Sequence, residues 1–563
     1  MTAPSTPLAA CVNVSHRLRD AALARPQQIA IAEPARRHVR GRGDYRTVSF
    51  EEMERDVRRI AAGLLAAGAS RDMRLALMVT PGIDFITLVF AMLRAGVPMV
   101  LIDPGMGRRN IFRCLDEVQV DGFVAVPPVH AVRTLLRRRF ARARFNVTVG
   151  KRWFWRGPTL DDVRRLGADE AEPTPTAADD PAAIIFTTGS TGPPKGVLYT
   201  HRVFDEQVRQ IQQQYAIAPG GVDVPGFPLF GLFNAAMGVT TVLPQMDFTR
   251  PARVDPVKFV QTINDWSVTQ SFGSPALWNV VGRYCERHRV QLPTLVQIFS
   301  AGAPVPPDVL QRMTEAMGPS AQMHTPYGAT ESLPVATIAA AEVLGETAAR
   351  SRDGAGTCVG RRFADVDWKI IRIHDGPIAK LEDAEELPRG EIGELVVRGA
   401  VVTRKYVTRT EANALHKIVD GDTFWHRMGD VGYFDDQQRF WMCGRKSHRV
   451  TTPDQTLYPV PCEAIINQHP AVFRSALVGV GPPGQQAPVL IVELEADARS
   501  PRGKPGEQPM REEILDLAAK HSLTRPIKHV MFHPAFPVDI RHNAKIFREK
   551  LAVWAADRLR EGR

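Results

Sequence analysis

This 563-residue chain is short of paired cysteines and of uninterrupted apolar runs, and both shortages narrow its class. The six cysteines, Cys11, Cys114, Cys285, Cys358, Cys443 and Cys462, are scattered with no Cys-x-x-Cys pair. That spacing removes the common zinc and redox motifs and leaves reduced, buried thiols as the expectation. The longest apolar region, residues 85–102, is broken by Arg94, Gly96 and Pro98, so it does not make a membrane-spanning helix. The N-terminus lacks the charged-then-apolar pattern of a secretory signal, and a cytoplasmic location is expected. The sequence has no short fixed repeat and no nucleic-acid-binding module, so nucleic acid is not an expected partner.

What is present describes a packed protein: 44% hydrophobic and 23% charged residues, with enough length for three to four compact units. The formal charge of +10 suits anionic partners but does not choose among them. Part of it is concentrated. Arg133, Arg137, Arg138, Arg139, Arg142, Arg144, Lys151, Arg152 and Arg156 alternate with Leu135, Leu136, Phe140, Phe145, Trp153, Phe154 and Trp155. This stretch, residues 133–156, reads either as a solvated face with core anchors or as a patch for peripheral contact with anionic lipid or a partner protein.

Apolar spacing predicts helices over residues 14–23, 50–67, 84–94, 110–118 and 201–215, and strands over 28–33, 73–79, 97–102 and 122–126. Ser49 ahead of Glu51 and Glu52 is a helix-capping pattern. Strands alternating with helices of this length predict an α/β fold with mainly parallel sheets. Residues 342–360 lack periodicity and read as a surface loop.

The most informative stretch follows the short apolar run Ala182-Ala183-Ile184-Ile185-Phe186, which reads as a buried strand. Behind it come Thr187, Thr188, Gly189, Ser190, Thr191, Gly192, Pro193, Pro194, Lys195 and Gly196. Glycines let backbone N–H groups approach an anion, hydroxyls add donors and Lys195 adds charge, so the loop is suited to phosphate. It lacks the Gly-Lys-Ser/Thr ending of a P-loop, which argues against a kinase or GTPase.

This loop resembles the signature of the adenylate-forming superfamily, and further stretches match that family in the same order. Gly302, Ala303 and Pro304 resemble its adenine-side turn; Thr325-Pro326-Tyr327-Gly328-Ala329-Thr330-Glu331 matches its Tyr-Gly-x-Thr-Glu motif. The resemblance implies Tyr327 against adenine, Thr330 toward phosphate, Glu331 (with Thr188) on Mg²⁺, and Asp430 on the ribose hydroxyls. It also implies Arg445 at ribose and phosphate, and Lys545 as the catalytic lysine of a small C-terminal domain. Phe230, Gly231, Phe233 and Asn234 fall where the family places its acyl pocket. Gly231 replaces a bulky residue, which suggests a wide pocket or a tight turn. The family hinge is altered here to Arg445-Lys446-Ser447-His448, and the expected organisation is 1–444 large domain, 445–448 hinge and 449–563 small domain.

Residues 271–278 and 541–551 are similar to the β-lactone-forming branch of the family that serves bacterial long-chain olefin formation. That likeness implies ATP and Mg²⁺, and a long-chain 2-alkyl-3-hydroxy acid whose own hydroxyl attacks the acyl-adenylate. Other olefin-pathway enzymes become candidate partners. A long-chain acyl-CoA synthetase is the alternative, and His448 and His542 are candidate bases for the hydroxyl.

Overall fold

The structure, a computed structural model, describes residues 12–35, 41–167, 172, 174–187, 192–495, 507–538 and 546–561. The fold is α/β. One six-stranded sheet runs in the order Phe145–Thr148, Gly122–Ala125, Leu75–Met78, Met99–Leu101, Pro181–Phe186, Gly196–Thr200, with only the last strand antiparallel. A nine-stranded sheet has a parallel interior from Gln322–Ala329 through Gln297–Ser300, Gln270–Gly273, Val222–Asp223 and Thr240–Val242 to Ile29–Pro34, and antiparallel strands at both ends. Short apolar strands buried on both faces need helical cover, and the largest apolar core joins side chains of both sheets to the helices Phe50–Ala66 and Ile83–Ala95. Ile83–Ala95 is buried on nearly every side; its one interior guanidinium, Arg94, meets Glu54 at 2.6 Å. Phe50–Ala66 starts at the expected cap: Ser49 Oγ accepts from the Glu52 amide and the Glu52 carboxylate accepts from the Ser49 amide.

A third, antiparallel sheet orders Thr357–Cys358, Phe440–Arg445, Thr423–Phe434, Gly393–Gly399 and Val366–Ile371. After the short turn Lys446–His448, the chain builds a separate unit. Val472–Val480, Ala487–Leu494 and His529–Phe532 form its sheet, and Pro459–Ile466, Glu507–Lys520 and Arg548–Arg560 pack on it around two apolar clusters. The five described cysteines are free and buried, and burial pushes the Cys114, Cys358, Cys443 and Cys462 thiols up to about 12; Cys11 lies outside the described residues. No helix among the described residues is long and apolar enough to cross a membrane.

One expectation fails. Residues 342–360 are largely helical turns, from Ala340–Glu342 to Ser351–Ala355, followed by the strand Thr357–Cys358. What organises them is distant in sequence: the buried Arg439 guanidinium bonds Glu342 at 3.0 Å and Glu346 at 2.7 Å. Two carboxylates four residues apart share one helix face, so a single arginine can hold both.

Candidate active site

The carboxyl ends of strands in the two large sheets border one cavity of about 1340 Å³, the usual place for a ligand in open α/β sheets. It exceeds the roughly 300–1,000 Å³ of common small-molecule pockets. Its lining holds two kinds of residue. Gly302, Ala303, Pro304, Thr325, Tyr327, Gly328, Thr330, Glu331, Asp430 and Arg445 line it together with Thr187 and Lys195; Phe85, Phe90, Leu101, Phe204, Phe230 and Phe233 are among its apolar lining.

Strand register brings Asp430 and Arg445 together, and a hydrogen bond from another sheet adds Tyr327. Asp430 on Thr423–Phe434 pairs with Arg445 on Phe440–Arg445, which brings the guanidinium Nε to 3.0 Å from the buried carboxylate. The Tyr327 hydroxyl donates to the other carboxylate oxygen, from a strand more than a hundred residues earlier. Asp430 holds the Arg445 guanidinium more strongly protonated, while burial and the same carboxylate push the Tyr327 phenol up. An aspartate fixed on both sides presents a carboxylate of defined direction to a diol. Before the motif, Gly302 sits at φ 92°, a left-handed conformation that glycine adopts without strain.

The described ends of the glycine-containing stretch 187–196 are pinned. The Thr187 amide donates to the Lys195 carbonyl at 3.0 Å, the Lys195 amide donates to Thr187 Oγ1 at 3.2 Å, and the Gly196 amide donates to Thr408 Oγ1 at 2.8 Å. Thr188, Gly189, Ser190, Thr191, His542 and Lys545 lie outside the described residues. Gly192 is exposed and away from the cavity lining.

Several residues that sequence reasoning missed surround Lys195. Its ammonium is 3.1 Å from His416 Nε2 and 4.5 Å from the centre of the Tyr406 ring. The Tyr406 hydroxyl donates to Glu331 Oε1 at 2.7 Å. His416 and His426 line the cavity; burial pushes His416 down to about 4 and His426 further below its ordinary range, so both imidazoles are neutral. Burial also lowers Lys195, and it lowers Lys417 to about 7. The adjacent His416-Lys417 pair was the available sequence signal, and no spacing rule ties it to Lys195.

The glutamate fits Mg²⁺. That ion is held by one or two carboxylates while water and substrate phosphates supply most ligands, and Glu331 offers one cavity-facing carboxylate already oriented by Tyr406. No group of three or more His, Cys, Asp or Glu among the described residues could hold a metal unaided.

Two acyl-pocket expectations are corrected. Gly231 and Asn234 do not line the cavity, although Phe230 and Phe233 on the same helix, Phe230–Met237, do. A Cβ on Gly231 would meet Ile86 Cδ1 at 2.9 Å and Thr241 Cγ2 at 3.3 Å, so the glycine serves close packing behind the helix and does not widen the pocket. Asn234 is buried and donates to Asp223 at 2.5 Å; burial pushes that carboxyl up to about 7.

Comparison with known proteins agrees with this geometry. Residues 18–407 match the family model described as AMP-binding enzyme. The chain is 45% identical, over 97% of its length and 98% of the relative's, to the olefin beta-lactone synthetase of Stenotrophomonas maltophilia (strain K279a). It is also 45% identical to the protein of that name from Xanthomonas campestris pv. campestris, over 97% of both. Among solved structures, the amide bond synthetase McbA from Marinactinospora thermotolerans superposes with a TM-score of 0.76 at 21% identity, covering 97% of this chain and 99% of that one, a likeness of fold. With the family's motif residues gathered around one cavity and its model matched over most of the chain, this protein belongs to the AMP-binding enzymes.

Proposed function

We propose that this enzyme uses ATP to adenylate a long-chain 2-alkyl-3-hydroxy acid and then lets the acid's own 3-hydroxyl displace AMP, giving a β-lactone in olefin biosynthesis. The observation that carries the reading is that one cavity is lined both by the nucleotide motifs and by many aromatic and aliphatic side chains. The full-length identity to β-lactone synthetases supports the choice of product.

A carboxylate resists nucleophiles because oxide would have to leave. Attack of its oxygen on the α-phosphorus expels pyrophosphate and converts the leaving group to AMP. Here Asp430 and Tyr327 fix the nucleoside, and Arg445 and Lys195 face the negative charge, as does Lys545 by resemblance of its motif to the family's terminal element. Mg²⁺ at Glu331, when bound, would screen the phosphates. In the second step the 3-hydroxyl oxygen bonds to the acyl carbon, the acyl–phosphate bond breaks, AMP leaves with the electron pair, and the hydroxyl proton is released. Because the nucleophile is tethered, favourable geometry is worth roughly 7–11 kcal/mol over a free one. The apolar walls exclude the water that would otherwise take the acyl group.

In this reading residues 1–444 form the large domain, 445–448 the hinge and 449–563 the small domain. The enzyme works in the cytoplasm, and other olefin-pathway enzymes supply its acid and consume its lactone. The test is mass spectrometry of the products from a 3-hydroxy acid and its 3-deoxy analogue, with and without CoA. The expected product is one water lighter than the hydroxy acid and independent of CoA. A CoA thioester from either acid, with no lactone, would instead make the chain an acyl-CoA synthetase.

A further inference from the structure

We infer that the face built by the helix Pro127–Leu135 and the loop 151–157 docks on an anionic lipid bilayer. The loop is held firmly. Trp155 is buried, its indole N–H donates to Thr148 Oγ1 at 2.8 Å, and its ring lies 5.6 Å from that of the buried His130 on the helix. His130 in turn bonds the Val147 carbonyl at 2.9 Å, fixing helix and loop to the edge strand Phe145–Thr148. This anchoring presents the neighbours of Trp155 outward: Trp153 is 55% exposed and Phe154 67%, while Leu135 at the helix end is 79% exposed.

The charge carried by residues 137–156 selects the occupant. Arg139 and Arg142 are neutralised by Asp116 and Asp121, at 2.5 and 2.9 Å. Arg137, Arg138, Arg144, Lys151 and Arg156 are exposed and, among the described residues, have no acidic partner. Exposed indole and phenyl groups on the same stretch of chain as uncompensated cations match a bilayer interface, where aromatic rings enter the headgroup layer and basic side chains meet anionic headgroups. No described helix is suited to span, so the contact is interfacial.

The same helix reaches the cavity. Val126, at its N-terminal boundary, and Val129 both line it, and nine residues of helix span only about 14 Å. A membrane on this face would therefore lie within about one short helix of the cavity. The link to substrate delivery rests on the long-chain reading above, whereas docking does not.

The test is co-sedimentation of the full-length protein with phosphatidylcholine vesicles with and without phosphatidylglycerol, in the absence of substrate. Two variants are compared: Arg137→Ser/Arg138→Ser/Arg144→Ser and Trp153→Ser/Phe154→Ser. The wild type is expected to bind only the anionic vesicles and to release at about 1 M salt, where the Debye length is about 3 Å. Removing three basic residues should weaken partitioning about a hundredfold, at roughly a fivefold factor each. The aromatic variant should also lose binding, and both should keep wild-type pyrophosphate release on acid dispersed in detergent. Absence of vesicle binding, equal binding to neutral vesicles, or unchanged binding by the triple variant would overturn the inference. Loss of a soluble protein partner by these variants, without vesicle binding, would do the same and assign the face to that protein.

Discussion

Replacing Lys417 by methionine should change how stability depends on pH. The Lys417 ammonium donates to the Thr403 carbonyl and lies 5.1 Å from the Phe424 ring and 6.0 Å from the Tyr406 ring. Burial is the main reason its pKa falls from 10.5 to about 7; nearby Lys195 pushes the same way and Glu331 opposes. Below pH 7 both folded and unfolded chains hold the proton, and the folded state bears the whole cost of an enclosed cation. Between pH 7 and 10.5 the unfolded chain binds the extra proton, so stability rises with pH; above that range the contribution is flat. At about 1.4 kcal/mol per pKa unit, the rise from about pH 6 to about pH 9 recovers some two units, or up to about 2–3 kcal/mol. Methionine removes this slope. It also leaves the Thr403 carbonyl without its donor, a loss of about 1–3 kcal/mol at every pH that offsets the curve without tilting it. Urea unfolding of both proteins at the two pH values measures the difference. If wild type and variant show the same dependence on pH, Lys417 is not held at a lowered pKa and the argument fails.

Three further outcomes are expected. Gly231→Leu should destabilise the fold by about 1–3 kcal/mol through overpacking against Ile86 and Thr241 while leaving acyl chain-length preference unchanged; a shift in preference at unchanged melting temperature would return Gly231 to the pocket. Tyr406→Phe removes the hydrogen bond to Glu331 and should slow pyrophosphate release about ten- to a hundredfold, the kinetic equivalent of about 1.5–3 kcal/mol, with an unaltered circular dichroism spectrum. An unaltered rate would detach Tyr406 from the role proposed for Glu331. Lys545→Ala should nearly abolish pyrophosphate release while the protein melts as the wild type does, because a cation acting on developing charge contributes to the transition state; undiminished release would take Lys545 out of the mechanism.

Local chemistry made much of the fold legible. The reciprocal Ser49–Glu52 cap, the buried strand Pro181–Phe186 and the alternating helices of the first 130 residues depend on neighbours in sequence, and their spacing states them directly. The site was legible as separate motifs. That Tyr327 and Arg445 meet at the Asp430 carboxylate follows from strand pairing for Arg445 and, for Tyr327, from a side-chain hydrogen bond reaching over from a different sheet, which no spacing encodes. Gly231 shows the opposite limit. Its identity was plain, but its meaning depends on which side of Phe230–Met237 it occupies, and Ile86 and Thr241 decide that from other elements. The turns after Glu342 were unreadable for a similar reason, since the cation that holds them is Arg439.

The junction between the two units bears on how the proposed reaction could run. Every described residue lining the cavity precedes His448. Lys446 bonds Glu394 and the His374 carbonyl, each at 3.1 Å, and Arg449 bonds Asp375 at 2.6 Å, so the turn is tied back to the large body. From the other side, His448 meets Glu549 at 3.1 Å, and Arg548 meets Glu463 at 2.6 Å within the small unit. Transfer to an external thiol requires a second nucleophile to enter after adenylation. A hydroxyl carried on the acid is already inside, so on the proposed reading one arrangement of the two units can serve both steps. Ties across the junction would obstruct a chain that had to rearrange between steps, and they are compatible with one that keeps its intermediate enclosed until AMP departs.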